Sequence, residues 1–261
     1  MPRFAAHLGW QFTEVPFLER FEAAAAVGFG AVEYPFPYAH PALELARRLA
    51  DNGLVQASIM APAGDWPAGE RGIAAIPGRE REFRDGLRRA LDYAGALGAR
   101  CLHVASGLVP QGVEPAACEA LYVEHLTVAA DLAKPQGVTV TIEPVSTAVY
   151  PAFLVRSTAH AERLIAALGR ANVRLLYDVW HSQRGEGDLA ATITRLMPLI
   201  AHVQIANPPG RNEPGVGEVD FPFLFDLIDR LGYTGWIVLE YQPSRDTRAS
   251  LTWARPYGIR A

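Results

Sequence analysis

The stretch VTVTIEP at residues 138–144 decides the fold, because three runs of similar form follow it along the chain. They are VRLLYDV at residues 173–179, AHVQIAN at 201–207 and WIVLEY at 236–241. Each run is apolar and β-branched, which is typical of a strand buried on both faces of a parallel sheet. Segments with apolar residues at helical spacing separate the runs. The four runs therefore indicate strands of a parallel sheet joined by helices.

The same alternation extends outward to both ends of the chain. It predicts strands at residues 4–9, 31–36, 55–61, 101–105, 138–145, 173–179, 201–206 and 236–241. It predicts helices at residues 17–27, 42–52, 80–97, 118–134, 158–168, 189–199 and 221–231. About eight such units favour an α/β fold closed into a (β/α)₈ TIM barrel, whose usual length is ~250 residues. The chain has 261 residues, so we expect one barrel domain over residues 1–261.

An open, doubly wound sheet is the alternative architecture. Such a fold would carry a glycine-rich phosphate-binding turn after an early strand. Neither G-x-G-x-x-G nor G-x-x-x-x-G-K occurs in the sequence. The closed barrel is therefore the favoured prediction.

Composition excludes several classes of protein. The formal net charge is -4, so we expect no broad basic surface and no nucleic-acid partner. No apolar run approaches ~18 residues and the first residues lack a signal-peptide pattern, so we expect no membrane segment. The 2 cysteines form no C-x-x-C pair, which favours reduced thiols in a cytoplasmic protein. The sequence leaves open whether the protein forms a homo-oligomer.

Four side chains with oxygen atoms stand at the ends of the four runs: Glu143, Asp178, Gln204 and Glu240. The carboxyl ends of parallel strands meet at one mouth of a barrel, where barrel enzymes build their active sites. Any one of these residues alone could be a capping or salt-bridging group. Together they predict a metal site, because a buried carboxylate is costly unless a cation neutralises it. Carboxylate and amide oxygens suit Mg²⁺ or Mn²⁺ better than Zn²⁺.

Other residues near these strand ends are candidates for substrate binding. His181 could donate to a substrate oxygen, although a solvated capping histidine is the alternative. His7 could line the barrel mouth or be a satisfied core histidine. Trp66, like Trp10 and Trp180, could exclude water from a small pocket, or it could be ordinary core filling.

Two long connections follow predicted strands and therefore lie at the same mouth of the barrel. They are PAGDWPAGERGIAAIPG at residues 62–78 and NPPGRNEPGVGEVD at 207–220. Each carries an arginine, Arg71 or Arg211, that could bind an anionic group of a substrate. Ordinary surface loops are the alternative.

No nucleophile motif competes with the acidic residues, since G-x-S-x-G is absent. Metal-assisted acid/base chemistry is therefore the favoured reaction type. In such chemistry Glu143 and Glu240 would take a proton from one carbon and return it nearby, while the metal stabilises the enediolate oxygens.

Four longer strings of the chain form a recognisable pattern. They are PAGDWPAGERGIAAIPGREREFRDG at residues 62–86, YDVWHSQRGEGDL at 177–189, HVQIANPPGRNEPGVGEVD at 202–220 and WIVLEYQP at 236–243. Together they resemble the hydroxypyruvate isomerase family, within the xylose isomerase-like TIM barrels. That family includes enzymes that interconvert hydroxypyruvate and tartronate semialdehyde, and relatives that act on 2-oxo-tetronates. The resemblance implies a metal-dependent isomerase of a small keto acid or keto sugar.

The resemblance also implies roles for individual residues. Glu143 and Glu240 would be the catalytic pair, and all four strand-end residues would bind the metal. His181 and Arg211 would contact the substrate.

The chain departs from the family pattern near the expected substrate. The departures are at Ile59, Met60, Ser146, Ala148, Val149 and Asn207. Ile59 and Met60 stand where the family usually has a histidine and an asparagine. We therefore expect a less polar pocket and weak activity on hydroxypyruvate, because lost hydrogen-bonding groups change specificity by large factors.

Other functions stay open. Ketose 3-epimerases on related barrels use the same paired glutamates to invert one carbon centre. A non-catalytic barrel that binds a small ligand is the alternative from another class, although it would have little need for two glutamates at a metal. A DNA-repair endonuclease of this fold would need more histidine ligands and a basic groove, so we do not expect one.

Overall fold

The computed structural model describes residues 1–261 and confirms the predicted α/β architecture. The strands are β1 Arg3–His7, β2 Ala31–Glu33, β3 Val55–Gln56, β4 Ser58–Met60, β5 Cys101–His103, β6 Thr139–Ile142, β7 Val173–Asp178, β8 Ile200–Ile205 and β9 Trp236–Leu239. The α-helices are α1 Arg20–Ala26, α2 Ala42–Asp51, α3 Glu80–Leu97, α4 Pro115–Ala133, α5 Thr158–Leu168, α6 Val179–Gly185, α7 Leu189–Leu196, α8 Phe221–Arg230 and α9 Thr247–Ser250. Short 3₁₀ helices lie at Phe17–Glu19, Pro37–Ala39, Lys134–Gln136 and Thr252–Tyr257.

The strands form one parallel sheet in the order β3-β2-β1-β9-β8-β7-β6-β5-β4. β3 and β4 are the two halves of one predicted strand, which is interrupted at Ala57. β3 pairs with β2, and β4 pairs with β5. Beyond the interruption, Met60 N donates to Pro35 O at 2.9 Å on one side, while Ala61 N donates to His103 O at 2.9 Å on the other. The sheet therefore closes through this segment, and the predicted TIM barrel is confirmed.

Helices cover the outside of the barrel and pack their apolar faces on the strands. In α2, Leu45 and Leu49 are buried whereas Arg47 is exposed. The strands beneath are apolar, and Val140 and Ile142 of β6 have no exposed surface. Burial of apolar surface, worth about 25 cal/mol per Å², is the main term that stabilises this arrangement.

The turn after β7 differs from the sequence prediction. The sequence predicts a loop here, because the 7 residues of α6 are too few to display a helical period. Asp178 ends β7 and caps α6, since its Oδ1 accepts a hydrogen bond from Trp180 N at 2.7 Å. The helix directs Trp180 and His181 into buried positions at the mouth of the barrel.

The connection at residues 207–220 is folded against the same mouth. Asn207 and Asn212 exchange two backbone hydrogen bonds of 2.8 and 3.2 Å. The side-chain oxygen of Asn207 accepts a hydrogen bond from Val219 N at 3.0 Å, and the residue is fully buried. The buried Asn207 side chain therefore holds the backbone of this loop in place. This contradicts the expectation that the departure from the family pattern at Asn207 makes the pocket less polar.

One other sequence prediction, that of free thiols, is met in the fold. Cys101 and Cys118 are both buried and free, in agreement with the prediction of reduced thiols. None of the helices combines the length and the apolar character needed to cross a lipid bilayer.

Candidate active site

Residues from two neighbouring strand ends meet at the mouth of the barrel. Glu143 follows β6, whereas Asp178 ends β7 and His181 lies one turn into α6. These three side chains each offer an oxygen or nitrogen atom that lies within 4.8 Å of the others. Asp178 and His181 are buried and Glu143 is nearly so. The predicted convergence of Glu143 and Asp178 is thus observed, with His181 as a third member.

Glu240 enters from the end of β9 and is paired with Arg211. Arg211 Nη2 donates to Glu240 Oε2 at 2.5 Å and lies 3.5 Å from Asp178 Oδ2. The guanidinium lies between the rings of Trp10 and Trp180, at 5.1 and 4.5 Å from their centroids. Cation–π contacts of this kind hold a partly buried arginine in place. Arg211 therefore joins two of the predicted acidic residues.

Each of the two glutamates has a histidine beside it. His103 Nε2 lies 3.7 Å from Glu143 Oε2, and His7 Nε2 lies 3.7 Å from Glu240 Oε1. Burial lowers the pKa of His103 to about 4 and also lowers the pKa of His7. Both imidazoles are therefore neutral near pH 7, so neither neutralises its glutamate.

His181 is held as a neutral donor. Its Nδ1 accepts a hydrogen bond from Ser146 N at 3.4 Å, so the proton of the neutral ring is on Nε2. That Nε2 lies 3.8 Å from Asp178 Oδ2. Burial and the nearby Arg211 lower the pKa of His181 to about 3. Ser146 thus contributes its backbone N–H to this contact. The departure of its side chain from the family pattern does not change that hydrogen bond.

The site has more negative than positive charge. Burial, then the neighbouring Asp178 and Glu240, raise the pKa of Glu143 well above its ordinary value. Burial also raises the pKa of Asp178, although Arg211 acts in the opposite direction. Three carboxylates therefore share one guanidinium. This excess of carboxyl groups over cations, together with the close approach of the Glu143 and Asp178 oxygens, fits a bound cation.

Gln204 lies on β8 beneath the glutamates. Its Nε2 donates to Glu33 Oε1 at 2.6 Å, which leaves its carbonyl oxygen as the end available to a ligand. Glu33 in turn pairs with His202 Nε2 at 2.6 Å. Gln204, Glu143 and Glu240 line one small recess of about 30 Å³ in the barrel floor. Gln204 is therefore at the expected strand end, where it pairs in register with Asp178 of β7.

The Glu33–His202 pair is a feature that the sequence analysis missed. Burial alone would lower the pKa of His202, but the Glu33 carboxylate and contacts with Cys101 raise it to about 10. Burial likewise opposes the charged form of Glu33, but His202 holds its pKa below the ordinary value. Glu33 lies within the predicted strand at residues 31–36 and ends the observed strand β2, so a carboxylate in an apolar run was the available signal.

Above the carboxylates is a cavity of about 350 Å³. Its lining includes His7, Trp10, Phe36, Met60, Trp66, Arg71, His103, Glu143, Tyr150, His181, Arg211 and Glu240. Trp66 is 37% exposed, so it stands at the outer rim and packs edge-to-face on Phe36. The predicted lining positions of His7, Trp66, His181 and Arg211 are therefore observed.

The expected loss of polarity in the pocket is found on one side only. Met60 lines the cavity, and Ile59 is buried beside the recess below it. Ala148 is exposed and Val149 packs against the hydrophobic core, and neither lines the cavity. The expectation that Ala148 and Val149 face the substrate is wrong, because the turn after Glu143 directs Val145 and Tyr150 there instead.

Comparison with known proteins identifies the family. Residues 21–257 match the family described as xylose isomerase-like TIM barrel. The chain belongs to this family. It is 49% identical over 257 residues to 2-oxo-tetronate isomerase of Cupriavidus necator, across 98% of this chain and 99% of that protein. It is 44% identical to hydroxypyruvate isomerase of Escherichia coli, across 98% of this chain and 100% of that protein. These relatives confirm the predicted family and the predicted class of enzyme, an isomerase.

Solved structures agree on the fold. A crystal structure described as AP endonuclease, family 2, from Brucella melitensis has a TM-score of 0.96 and 45% identity, and the match covers 99% of this chain and 100% of that one. A structure of L-ribulose 3-epimerase has a TM-score of 0.76 and 25% identity, over 98% of this chain and 86% of that one. Proteins described by different activities thus share this barrel, so the reaction has to be argued from the site.

Proposed function

We propose that this protein is a metal-dependent isomerase of a short hydroxy-oxo acid, which moves a carbonyl between adjacent carbons through an enediolate. The observation that carries the proposal is the pair Glu143 and Glu240, which face one cavity with a neutral histidine beside each. The isomerase relatives support the same reaction type.

A 2-oxo-tetronate is the first candidate substrate and hydroxypyruvate the second. The 2-oxo-tetronate isomerase of Cupriavidus necator is more similar to this chain than the Escherichia coli hydroxypyruvate isomerase. Met60 in the cavity wall offers hydroxypyruvate no hydrogen-bonding partner, and the order of the two acids rests on the relatives. We therefore expect kcat/KM on hydroxypyruvate to be below ~10⁴ M⁻¹s⁻¹, the lower end of ordinary enzyme efficiency.

We assign the metal site to Glu143, Asp178, Gln204 and Glu240. The excess of carboxylates over guanidinium at this site supports a divalent cation, Mg²⁺ or Mn²⁺. When bound, it supplies positive charge that polarises a carbonyl and stabilises negative charge on substrate oxygens.

The two glutamates carry the proton. One takes it from the hydroxyl-bearing carbon, and the electrons of that C–H bond form the C=C bond of the enediolate. The other glutamate supplies a proton to the former carbonyl carbon, and the proton of the substrate hydroxyl moves to the former carbonyl oxygen. Proton exchange with solvent then returns both glutamates to their starting states. Because the reaction is reversible, each residue serves as acid in one direction and as base in the other.

His181 orients the substrate and the aromatic rings keep water out. With Nδ1 occupied by Ser146, the Nε2–H of His181 is free to donate to a substrate oxygen. Trp10 and Trp66 lie in the cavity wall, where their rings reduce the access of water to the enediolate.

The glutamate substitutions test this proposal. We predict that Glu143→Gln and Glu240→Gln each lower kcat by ~10² or more, because an amide of the same shape cannot accept a proton. Glu119→Gln is the matched control, since Glu119 also pairs with a histidine, His160 at 2.9 Å, but lies outside the cavity. Steady-state assays on 2-oxo-tetronate with Mn²⁺ supplied provide the measurement. Near-normal turnover in either site variant would remove that residue from the mechanism.

Assays on other substrates would reveal two other activities. A ketose 3-epimerase would invert a centre in a ketose and leave the carbonyl in place. An endonuclease would cleave a duplex that contains an abasic site, but the net charge of -4 and the acidic cavity disfavour that substrate. A non-catalytic binder would convert none of these compounds.

We further propose that the enzyme acts in the cytoplasm on a small molecule, without a membrane or nucleic-acid partner. Two free, buried cysteines suit a reducing compartment. A homo-oligomer is compatible with this proposal, and sedimentation velocity would test it.

A further inference from the structure

Arg71 is a cation in the cavity wall that has no anionic partner. Its Nε donates to Tyr150 Oη at 2.8 Å, and its Nη1 donates to the carbonyl oxygens of Trp66 and Glu70 at 3.0 and 2.7 Å. All three acceptors are uncharged, because the contact with Glu70 is to its backbone. No carboxylate lies within salt-bridge distance of Arg71. Nη2 makes no hydrogen bond to the protein, and Arg71 is one of the residues that line the cavity.

One other arginine lines the cavity, and its charge is neutralised. Arg211 is paired with Glu240 and lies close to Asp178. Arg79, close to Arg71 in sequence, is paired with Glu70 at 2.6 Å and Glu82 at 2.5 Å. Arg71 is therefore the cavity arginine whose charge is available to a ligand.

The guanidinium of Arg71 is also held in a fixed position. Its centre lies 4.4 Å from the ring centroid of Trp66 and 5.1 Å from that of Tyr150. The next residue, Gly72, has a φ of +122°, and a Cβ there would lie 2.5 Å from Ala105 O, so the backbone packs too closely for a side chain. A planar donor group fixed in this way loses little conformational freedom when it binds an anion.

We infer that Arg71 binds the carboxylate of the substrate, at the end of the cavity away from the metal-binding carboxylates. The inference rests on the proposed function for the identity of the acid, and it assigns the carboxylate to Arg71 rather than to Arg211. A carboxylate placed at Nη2 supplies the missing counter-charge by a charge-assisted hydrogen bond. A carboxylate placed at Arg211 would instead meet Glu240 and Asp178, which repel it.

Ligand binding without turnover tests the inference. Threonate and threitol have the same carbon chain and hydroxyl pattern, but only threonate has a carboxylate, and neither carries a carbonyl to isomerise. We expect the unchanged protein to bind threonate more tightly than threitol in calorimetric titrations, both with Mn²⁺ and with a chelator. Arg71→Met should weaken threonate binding by about 10- to 100-fold, the range for a lost hydrogen bond to a charged group, and leave threitol within threefold.

The matched control is Arg89→Met. Arg89 lies between the rings of Tyr38 and Tyr93, at 4.9 and 5.8 Å, and donates to a backbone carbonyl, but it is outside this cavity. It should leave the binding of both compounds unchanged. Arg71→Lys keeps the charge without the planar fork, and it should give an intermediate loss for threonate.

Three results would overturn the inference. One is equal weakening of threonate and threitol in Arg71→Met, which would mean that Arg71 only supports the loop at residues 62–78. The second is unchanged threonate binding in Arg71→Met, which would place the carboxylate elsewhere. The third is equal affinity of the unchanged protein for the two compounds. Because no turnover is measured, a protein that binds threonate through Arg71 but isomerises no hydroxy-oxo acid would refute the proposed function alone.

Discussion

The surroundings of Glu143, which suit its proposed catalytic role, also destabilise the folded protein. It is buried, its nearest histidine is neutral, and Asp178 and Glu240 add negative charge beside it. These surroundings raise its pKa, so the folded protein holds a proton that the unfolded chain releases. Stability in the absence of metal should therefore fall as the pH rises from about 4.5 towards the raised pKa.

This conflict predicts that Glu143→Gln stabilises the chelator-treated protein. At neutral pH we expect the variant to have the higher free energy of unfolding, because the amide needs no proton. The gain should shrink at lower pH, and Mn²⁺ should stabilise the unchanged protein more than the variant. Thermal unfolding with chelator and with Mn²⁺ measures both effects. A variant that is less stable than the unchanged protein in chelator would contradict this account of Glu143.

Single residues also show where sequence reasoning succeeds. Glu143 and Glu240 could be predicted to share the barrel mouth because each follows an apolar run, and strand direction alone places those ends together. Ala148 and Val149 were misplaced because the turn after Glu143 has no period from which the direction of a side chain could be read. Arg71 was recognised in its loop, but its lack of a counter-ion depends on contacts that only the folded chain contains.

At the scale of elements, β2 and β8 are linked across the inside of the barrel. β1 and β9 separate them in the sheet, yet Glu33 of β2 contacts both His202 and Gln204 of β8. Glu33 and Gln204 are 171 positions apart, so no local pattern predicts the contact. The strands themselves were predictable from their apolar runs, whereas this cross-barrel pair depends on closure of the sheet.

We predict that Glu33→Gln destabilises the protein by about 3–5 kcal/mol, because breaking a buried ion pair leaves a partner without its counter-charge. The pKa of His202 is raised to about 10 from an ordinary 6.5, so its contribution is fully present below 6.5 and is lost as the pH rises through 10. The free energy of unfolding of the unchanged protein should therefore approach that of the variant as the pH rises from 6.5 to 10.

Urea unfolding at several pH values measures this difference. Glu119→Gln, at a partly exposed glutamate–histidine pair, is the control and should change stability by no more than about 1 kcal/mol. If Glu33→Gln changes the free energy of unfolding no more than the control does at neutral pH, the ion pair between β2 and β8 does not stabilise the fold.

At the scale of the whole molecule, the barrel explains why the family could be identified more easily than the substrate. The alternation of strands and helices runs along the entire chain. It accounts for the closure of the barrel and for the positions of the strand ends. Under our proposals, the substrate is determined by a few side chains in one cavity, such as Met60 and Arg71, and by loops without periodicity. Similar barrels are described as isomerases, an epimerase and an endonuclease, so only the reaction itself separates them.

The central claim is that the enzyme moves a carbonyl, and carbon-13 NMR of 2-oxo-tetronate labelled at C2 tests it most directly. With Mn²⁺ or Mg²⁺ supplied, we predict that the C2 carbonyl signal is replaced by that of a hydroxyl-bearing carbon as the carbonyl moves to C3. A chelator should prevent the change. A C2 carbonyl that persists while the stereocentre at C3 inverts, or the absence of any conversion of 2-oxo-tetronate and hydroxypyruvate by the metal-supplied protein, would contradict the claim.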